Sequence, residues 1–191
     1  MDIKDVELYR DSKAYYILRV ISRINGDEIS RENVPLRDNE NVAVIGAGNV
    51  AMDTARTAIR MGARSVTIIY HRTEAEIPAL QTEYHEAVEE GVQFMWQTNT
   101  LEFIGEVIDG KDTLKKIRVN TPEGEKVIPM DRVFIAVGSK PANRIVSTSL
   151  GIEVNEQGYV KTKEHPYGMT TRKGVFAGGD VVHTPQTVVL A

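Results

Sequence analysis

The sequence predicts an α/β protein: a three-layer domain built on a parallel sheet, with a three-stranded antiparallel β-meander attached. Three observations predict it. Residues 42–45 and 66–69 are short, unbroken apolar runs, as strands buried on both faces require. The stretch between them has helical spacing and opens on a sharp turn, Gly46-Ala47-Gly48. Past residue 100 the apolar spacing changes from helical to alternating, punctuated by Asp109-Gly110 and Glu123-Gly124.

Taken in order, residues 1–13 are charged and little patterned. Ala14, Ile17, Leu18, Ile21 and Ile24 then mark one face of a helix ended by Gly26. Residues 26–40 are polar, contain Pro35 and read as a linker. After strand 42–45, Val50, Ala51, Thr54, Ala55, Ala58 and Ile59 form the inner side of a helix. Met52, Asp53, Arg56 and Arg60 fall on its outer side, where Asp53 and Arg56 are spaced to pair. Strand 66–69 follows the stop at Gly62. Pro78 is suited to the first turn of the next helix, with Leu80, Tyr84, Ala87 and Val88 as its buried stripe and Gly91 as its end. Residues 92–97 read as a third strand. Residues 101–108, 114–119 and 126–130 form the meander, and 132–137 return to the parallel sheet. Gly138 to Pro141 break that strand. Beyond them lie short strand candidates at 152–154, 159–162 and 174–180, and residues 187–191 begin a helical pattern.

Gly46-x-Gly48-x-x-Ala51 is the glycine fingerprint of a Rossmann-like nucleotide-binding unit, set between a strand and a helix as that unit requires. Gly46 permits the turn, Gly48 leaves room for a pyrophosphate, and Ala51 lets the helix pack closely on the sheet. The amides of Asn49 and Val50 open the helix, where free N–H groups and the helix dipole favour an anion. The Asn49 side chain is suited either to capping the helix or to touching the pyrophosphate. The second strand ends Tyr70-His71-Arg72 without the acidic residue that takes the ribose hydroxyls of NAD. A basic pair there suits the 2′-phosphate of NADP, against the plainer reading of a solvated loop.

Composition narrows the alternatives. At 191 residues the chain can bury a sizeable core, and 41% hydrophobic with 26% charged residues is ordinary for a globular protein. A net charge of −4, with no basic run, argues against nucleic acid as partner. There is no cysteine, which excludes a disulfide, a cysteine-ligated cluster and a redox-active cysteine pair within these residues. The four histidines lack metal-ligand spacing, so no metal site is expected, nor any catalytic triad. No membrane-length apolar stretch or signal peptide is present, which makes a cytoplasmic location the expectation.

Residues 44–56, Arg72 with Ile77-Pro78-Ala79, residues 136–141 and residues 174–180 with Thr187-Val188-Val189 form four motifs in order. Together they resemble the flavoprotein oxidoreductases with two dinucleotide-binding domains, in particular the glutamate synthase small subunit and its relatives. Those relatives include the amino-terminal part of dihydropyrimidine dehydrogenase and ferredoxin-linked NADP oxidoreductases. The resemblance implies a split FAD domain with an NADP domain inserted: residues 1–40 belonging to the FAD domain, 41–138 to the NAD(P) domain, and 139–191 to an incomplete FAD return segment. It implies that Gly138 lies near the nicotinamide, that Gly179 and Asp180 contact the flavin's ribityl side, and that amides at Gln186 and Thr187 face the isoalloxazine. Asp180 as a plain turn residue is the competing reading. The cofactors implied are NADP(H) and, in the complete protein, FAD; the partners are the rest of a FAD/iron–sulfur protein and a large catalytic subunit. The chain is thus expected to be a piece that presents NADPH for hydride transfer to FAD, inactive by itself. A stand-alone NADP(H) sensor or interaction module is the alternative.

Overall fold

A computed structural model of the chain describes residues 17–18, 34–138 and 148–183. They belong to two compact units that divide between Val137 and Gly138. The first contains β1 (Asn41–Ile45), α1 (Asn49–Arg60), β2 (Ser65–Ile69), α2 (Gln81–Glu89), β3 (Gln93–Met95), β4 (Asn99–Ile108), β5 (Lys111–Thr121), β6 (Gly124–Pro129) and β7 (Arg132–Ile135). Strands β3-β2-β1-β7, in that order, make a parallel sheet. Strands β4-β5-β6 make an antiparallel one.

The unbroken apolar runs are explained by what covers each face of the parallel sheet. Side chains alternate along a strand, so Val42, Val44, Val66 and Ile68 meet Ala51, Met52, Ala55, Ala58 and Ala87 of the helices. Ala43, Ile45, Ile69 and Val133 meet Phe103, Leu114, Ile117 and Val119 of the meander. The three layers are therefore helices, parallel sheet and meander. Each fully buried Val, Leu or Ile adds about 1.5–3 kcal/mol. Ile17, described together with Leu18 from the expected helix 14–24, is buried in the helix-side core. The rest of that helix, Ser139-Lys140-Pro141, Gln186, Thr187 and residues 187–191 lie outside the described residues.

Long-range polar contacts fasten the start of the sheet. Arg132 grips Glu40 through two bonds of 2.8 and 2.7 Å. Asp131 accepts bonds from the backbone N–H of Asn41 (2.8 Å) and from its Nδ2 (3.0 Å), and Ser65 donates to Asn41 Oδ1. These contacts join β7 to β1 across some ninety residues of chain, in the register that pairs Val42 with Arg132.

Several boundaries differ from the expectations. In α1, Met52 is fully buried whereas Val50 is 47% exposed. Met52 and Val50 lie about 100° to either side of Ala51, and the helix is covered on the Met52 side, where that side chain joins the core. Helix α2 starts at Gln81, beyond Pro78. Ile77, immediately before the proline, is extended (φ −63°, ψ 126°), the chain bends at Ala79, and Leu80 at the N-cap is extended again (φ −60°, ψ 138°). Leu80 and Val88 are 53% and 46% exposed, Tyr84 is partly covered, and Ala87 alone of the expected stripe is buried. Charge compensates for this thin stripe. Arg56 does not pair with Asp53; it reaches Glu83 at 2.8 Å, Glu86 at 2.5 Å and Glu90 at 2.8 Å, and Arg60 also grips Glu90. Tyr84 adds ring contacts to Phe94 and Trp96 at centroid distances of 5.1 and 6.1 Å.

The meander strands run longer than their apolar cores suggested. Asp109 and Gly110, both at positive φ (50° and 74°), form a two-residue loop that pairs Ile108 with Lys111. In the second hairpin Pro122-Glu123 is the loop, because Gly124 already pairs with Thr121. The second unit has no extended strand among its described residues. The pairs Val154–Val160, Thr162–Thr170 and Met169–Phe176 are isolated bridges. Residues 179–181, expected at the end of a strand, form a short 3₁₀ turn.

The Glu90 carboxyl lies below its ordinary value of 4.5, chiefly through the bond from Arg60 and then that from Arg56. Its contribution to stability is therefore present above the ordinary glutamate value and is lost as the pH falls through its lower folded value. Glu90→Gln should reduce unfolding free energy by about 1–2 kcal/mol at pH 7. In urea titrations the gap to the unmodified chain should close below the ordinary glutamate range.

Candidate functional site

The carboxyl ends of β1, β2 and β7 are level, since Ile45 pairs with both Ile69 and Ile135. The chain winds outward from β1 through β2 to β3, then returns through the meander to β7 on the other side of β1. That reversal marks a topological switch point, and crevices for ligands open at the carboxyl ends of strands in such sheets.

At this edge Gly46 has φ +114° and donates its N–H to Ile69 O at 3.0 Å. A Cβ on it would come within 2.5 Å of the Ala136 carbonyl oxygen, so both conformation and space require glycine. Gly48 differs. It is the N-cap of α1, at φ −84° and ψ 177°, which any residue adopts, and a Cβ there would meet nothing within 4 Å. The fold does not require glycine at position 48; open space lies in front of it. Ala51 is fully buried, and with Ala55 and Ala58 it lets α1 lie close on the sheet.

Gly48 O accepts the amides of Ala51 (2.9 Å) and Met52 (3.1 Å). The amides of Asn49 and Val50 have no acceptor among the described residues, and no acidic residue occupies the first turn. The positive end of the helix is thus uncompensated and open to an anion. Asn49 makes no side-chain cap, which corrects the capping reading. Its Oδ1 accepts the Leu80 N–H at 2.9 Å instead, tying the glycine turn to the segment that follows β2.

His71 and Arg72 extend from β2 at the same edge, with exposed side chains on a fixed backbone. Tyr70 O and Arg72 O accept the amides of Thr98 and Gln97, each at 2.9 Å, and the His71 ring packs edge-on against Tyr70 at 4.9 Å. Neither basic side chain has a carboxylate within ion-pair distance among the described residues. Just beyond them is a capping box, Thr73 with Glu76, around the 3₁₀ turn Glu74–Glu76. The Thr-x-x-Glu spacing is a local signal in the sequence that the expectations above do not include. The Tyr84 hydroxyl bond to Glu74 at 2.6 Å had no such signal.

Gly46, Gly48, Asn49, Val50, Ala51, His71 and Arg72 thus gather along one sheet edge of the first unit. Gly138, Gly179 and Asp180 belong to the second. A Cβ on Gly138 or Gly179 would meet no neighbour within 4 Å, and Asp180 lies in the 3₁₀ turn Gly179–Val181. Among the described residues no cluster of His, Asp and Glu is arranged to hold a metal, and no helix is long and apolar enough to cross a membrane.

Residues 12–191 match the pyridine nucleotide-disulphide oxidoreductase family. The chain belongs to that family. It is 35% identical over 192 residues to the glutamate synthase [NADPH] small chain of Halomonas elongata, covering 92% of this chain and 40% of that one. The NADP(+)-dependent formate dehydrogenase subunit beta of Moorella thermoacetica is 35% identical over 178 residues, covering 86% of this chain and 25% of that one. The chain therefore spans less than half the length of these relatives. Among solved structures, Lactococcus lactis thioredoxin reductase superposes with a TM-score of 0.68 at 27% identity, covering 80% of this chain and 48% of that one. The α/β architecture with its parallel and antiparallel sheets is thus that of pyridine nucleotide oxidoreductases. Family membership does not bring a redox disulphide with it, since these residues contain no cysteine.

The two glycines should separate in thermal unfolding. Gly46→Ala is expected to destabilise by at least about 2 kcal/mol through strain and overlap. Gly48→Ala should cost less than about 1 kcal/mol.

Proposed function

We propose that the chain is the NADP(H)-binding module of a flavin-dependent oxidoreductase similar to glutamate synthase small subunits. The observation that carries this reading is the open space at Gly48, faced by the amides of Asn49 and Val50, which have no acceptor among the described residues. A glycine that its own fold does not need, beneath an uncompensated helix terminus, fits a pyrophosphate. The names of two relatives, the glutamate synthase [NADPH] small chain and the NADP(+)-dependent formate dehydrogenase subunit beta, support the choice of nucleotide.

In this reading Gly46 fixes the turn, Gly48 admits the pyrophosphate, and the amides of Asn49 and Val50 bind it. Ala51 seats the helix, while Asn49 holds Leu80 and so keeps the segment after β2 in place. His71 and Arg72 take the 2′-phosphate. Residues 41–138 are the nucleotide domain, with Gly138 beside the nicotinamide. Residues 1–40 and 139–191 belong to a FAD domain, where Gly179, Asp180, Gln186 and Thr187 serve the flavin in the complete protein. When both cofactors are bound they supply the redox chemistry, a hydride passing from C4 of NADPH to N5 of the flavin. The protein's part is to position the nucleotide and exclude water, which requires no catalytic side chain. A larger catalytic subunit and a cytoplasmic setting complete the proposal.

Calorimetric titration tests it. NADP⁺ should bind saturably and more tightly than NAD⁺. Arg72→Ala should weaken NADP⁺ by about ten- to a hundredfold, the worth of a charge-assisted bond, with NAD⁺ little changed. Gly48→Ala should weaken both nucleotides. Equal losses for both nucleotides in Arg72→Ala would remove the 2′-phosphate assignment. An unchanged affinity in Gly48→Ala would reduce the glycine turn to a packing device.

A further inference from the structure

The basic pair is followed closely by acid: Glu74 and Glu76 lie two and four residues beyond Arg72. An unrestrained carboxylate so near a guanidinium forms a surface ion pair, and a phosphate must then compete with it. In the structure both carboxylates are bonded elsewhere. Glu76 Oε2 accepts the Thr73 hydroxyl at 2.8 Å and the Thr73 N–H at 3.2 Å. Glu74 Oε1 accepts the Tyr84 hydroxyl, from the first turn of α2, at 2.6 Å.

We infer that Thr73 and Tyr84 are positioning residues that set the preference for a 2′-phosphate over a 2′-hydroxyl, by holding these two glutamates off Arg72. The inference rests on the proposed role of His71 and Arg72. The role requires no contact with the nucleotide: each residue acts on a carboxylate that would otherwise pair with Arg72.

Three further features fit this role. The Glu76 carboxyl lies below its ordinary range, first through the Thr73 hydroxyl and N–H, and then through the charges of Arg72 and His71. It is therefore within the field of the basic pair, yet directed at the threonine. The Tyr84 hydroxyl is pushed up to about 12, first by its bond to Glu74 and then by burial, so it remains a donor throughout the physiological range. The backbone beneath is also held: Tyr70 donates its hydroxyl to Glu76 O at 3.1 Å, and Asn49 accepts the Leu80 amide. The glutamate side chains can thus change partner without the loop having to move.

The test compares 2′,5′-ADP with 5′-AMP on the full 191-residue chain. Their affinity ratio isolates the 2′-phosphate and cancels any general loss of folded protein. The double variant Thr73→Val/Tyr84→Phe deletes only the two hydroxyls. It is expected to lower the ratio by about two- to fivefold, the range of a surface ion pair. Adding Glu74→Gln and Glu76→Gln should restore the ratio, because the amides do not neutralise Arg72. With Arg72→Ala as background, the hydroxyl deletions should leave the ratio unchanged.

A normal ratio in Arg72→Ala, or none in favour of 2′,5′-ADP in the unmodified chain, would overturn the phosphate assignment and this inference with it. A ratio that depends on Arg72 but survives loss of both hydroxyls would overturn this inference alone. So would a loss that the glutamine substitutions fail to restore, since it would then come from disturbed loop geometry.

Discussion

The close approach of Gly46 to the carbonyl of Ala136 is the constraint on which the candidate site depends. Ala136 donates its N–H to Ile45 at 2.8 Å, and Gly46 donates its own to Ile69 at 3.0 Å. Three strand ends are thereby knotted together through backbone groups alone. A side chain at position 46 would part β1 from β7, and the helix that starts three residues later would lose its seat. The open region at Gly48 exists because the turn beneath it is closed so tightly.

At the opposite end of the same strands the connections are made by side chains. Arg132–Glu40 and the Asn41–Asp131–Ser65 group secure register where β1 meets β7 and β2, while at the carboxyl edge side chains such as Asn49 and Tyr70 bond the backbone of the segment after β2. The helices divide the same way. Their inner faces are mostly alanine, small enough for close approach, and their outer faces are joined by the Arg56–Glu90–Arg60 clasp.

Charge is arranged with similar economy at the candidate site. The helix amides, Arg72 and His71 lack anionic partners among the described residues, while each neighbouring glutamate has one: Glu74 with Tyr84, Glu76 with Thr73, and Glu83, Glu86 and Glu90 with arginines. Although the chain carries a net charge of −4, the Arg72 side chain and the first amides of α1 are thereby left without a carboxylate partner among the described residues.

The sequence by itself determined the architecture around the glycine turn. An unbroken run such as Val42 to Ile45 fits a strand covered on both faces, Gly46 and Gly48 fit a strand-to-helix turn, and Asp109-Gly110 fits a two-residue hairpin. Each signal is local, set by backbone sterics or by side-chain period. The partners of polar side chains were decided only in the tertiary structure. Arg56 bypasses Asp53 for glutamates about thirty residues on, Asn49 turns from its own helix to Leu80, and Tyr84 reaches back to Glu74. Helix α2 starts at Gln81 rather than at Pro78, and it is held from the side by ions and rings while Val88, and Leu80 at its N-cap, stay exposed. Periodicity records which face of an element is buried. It holds no information about which distant donor a carboxylate will meet, because that depends on how the elements pack.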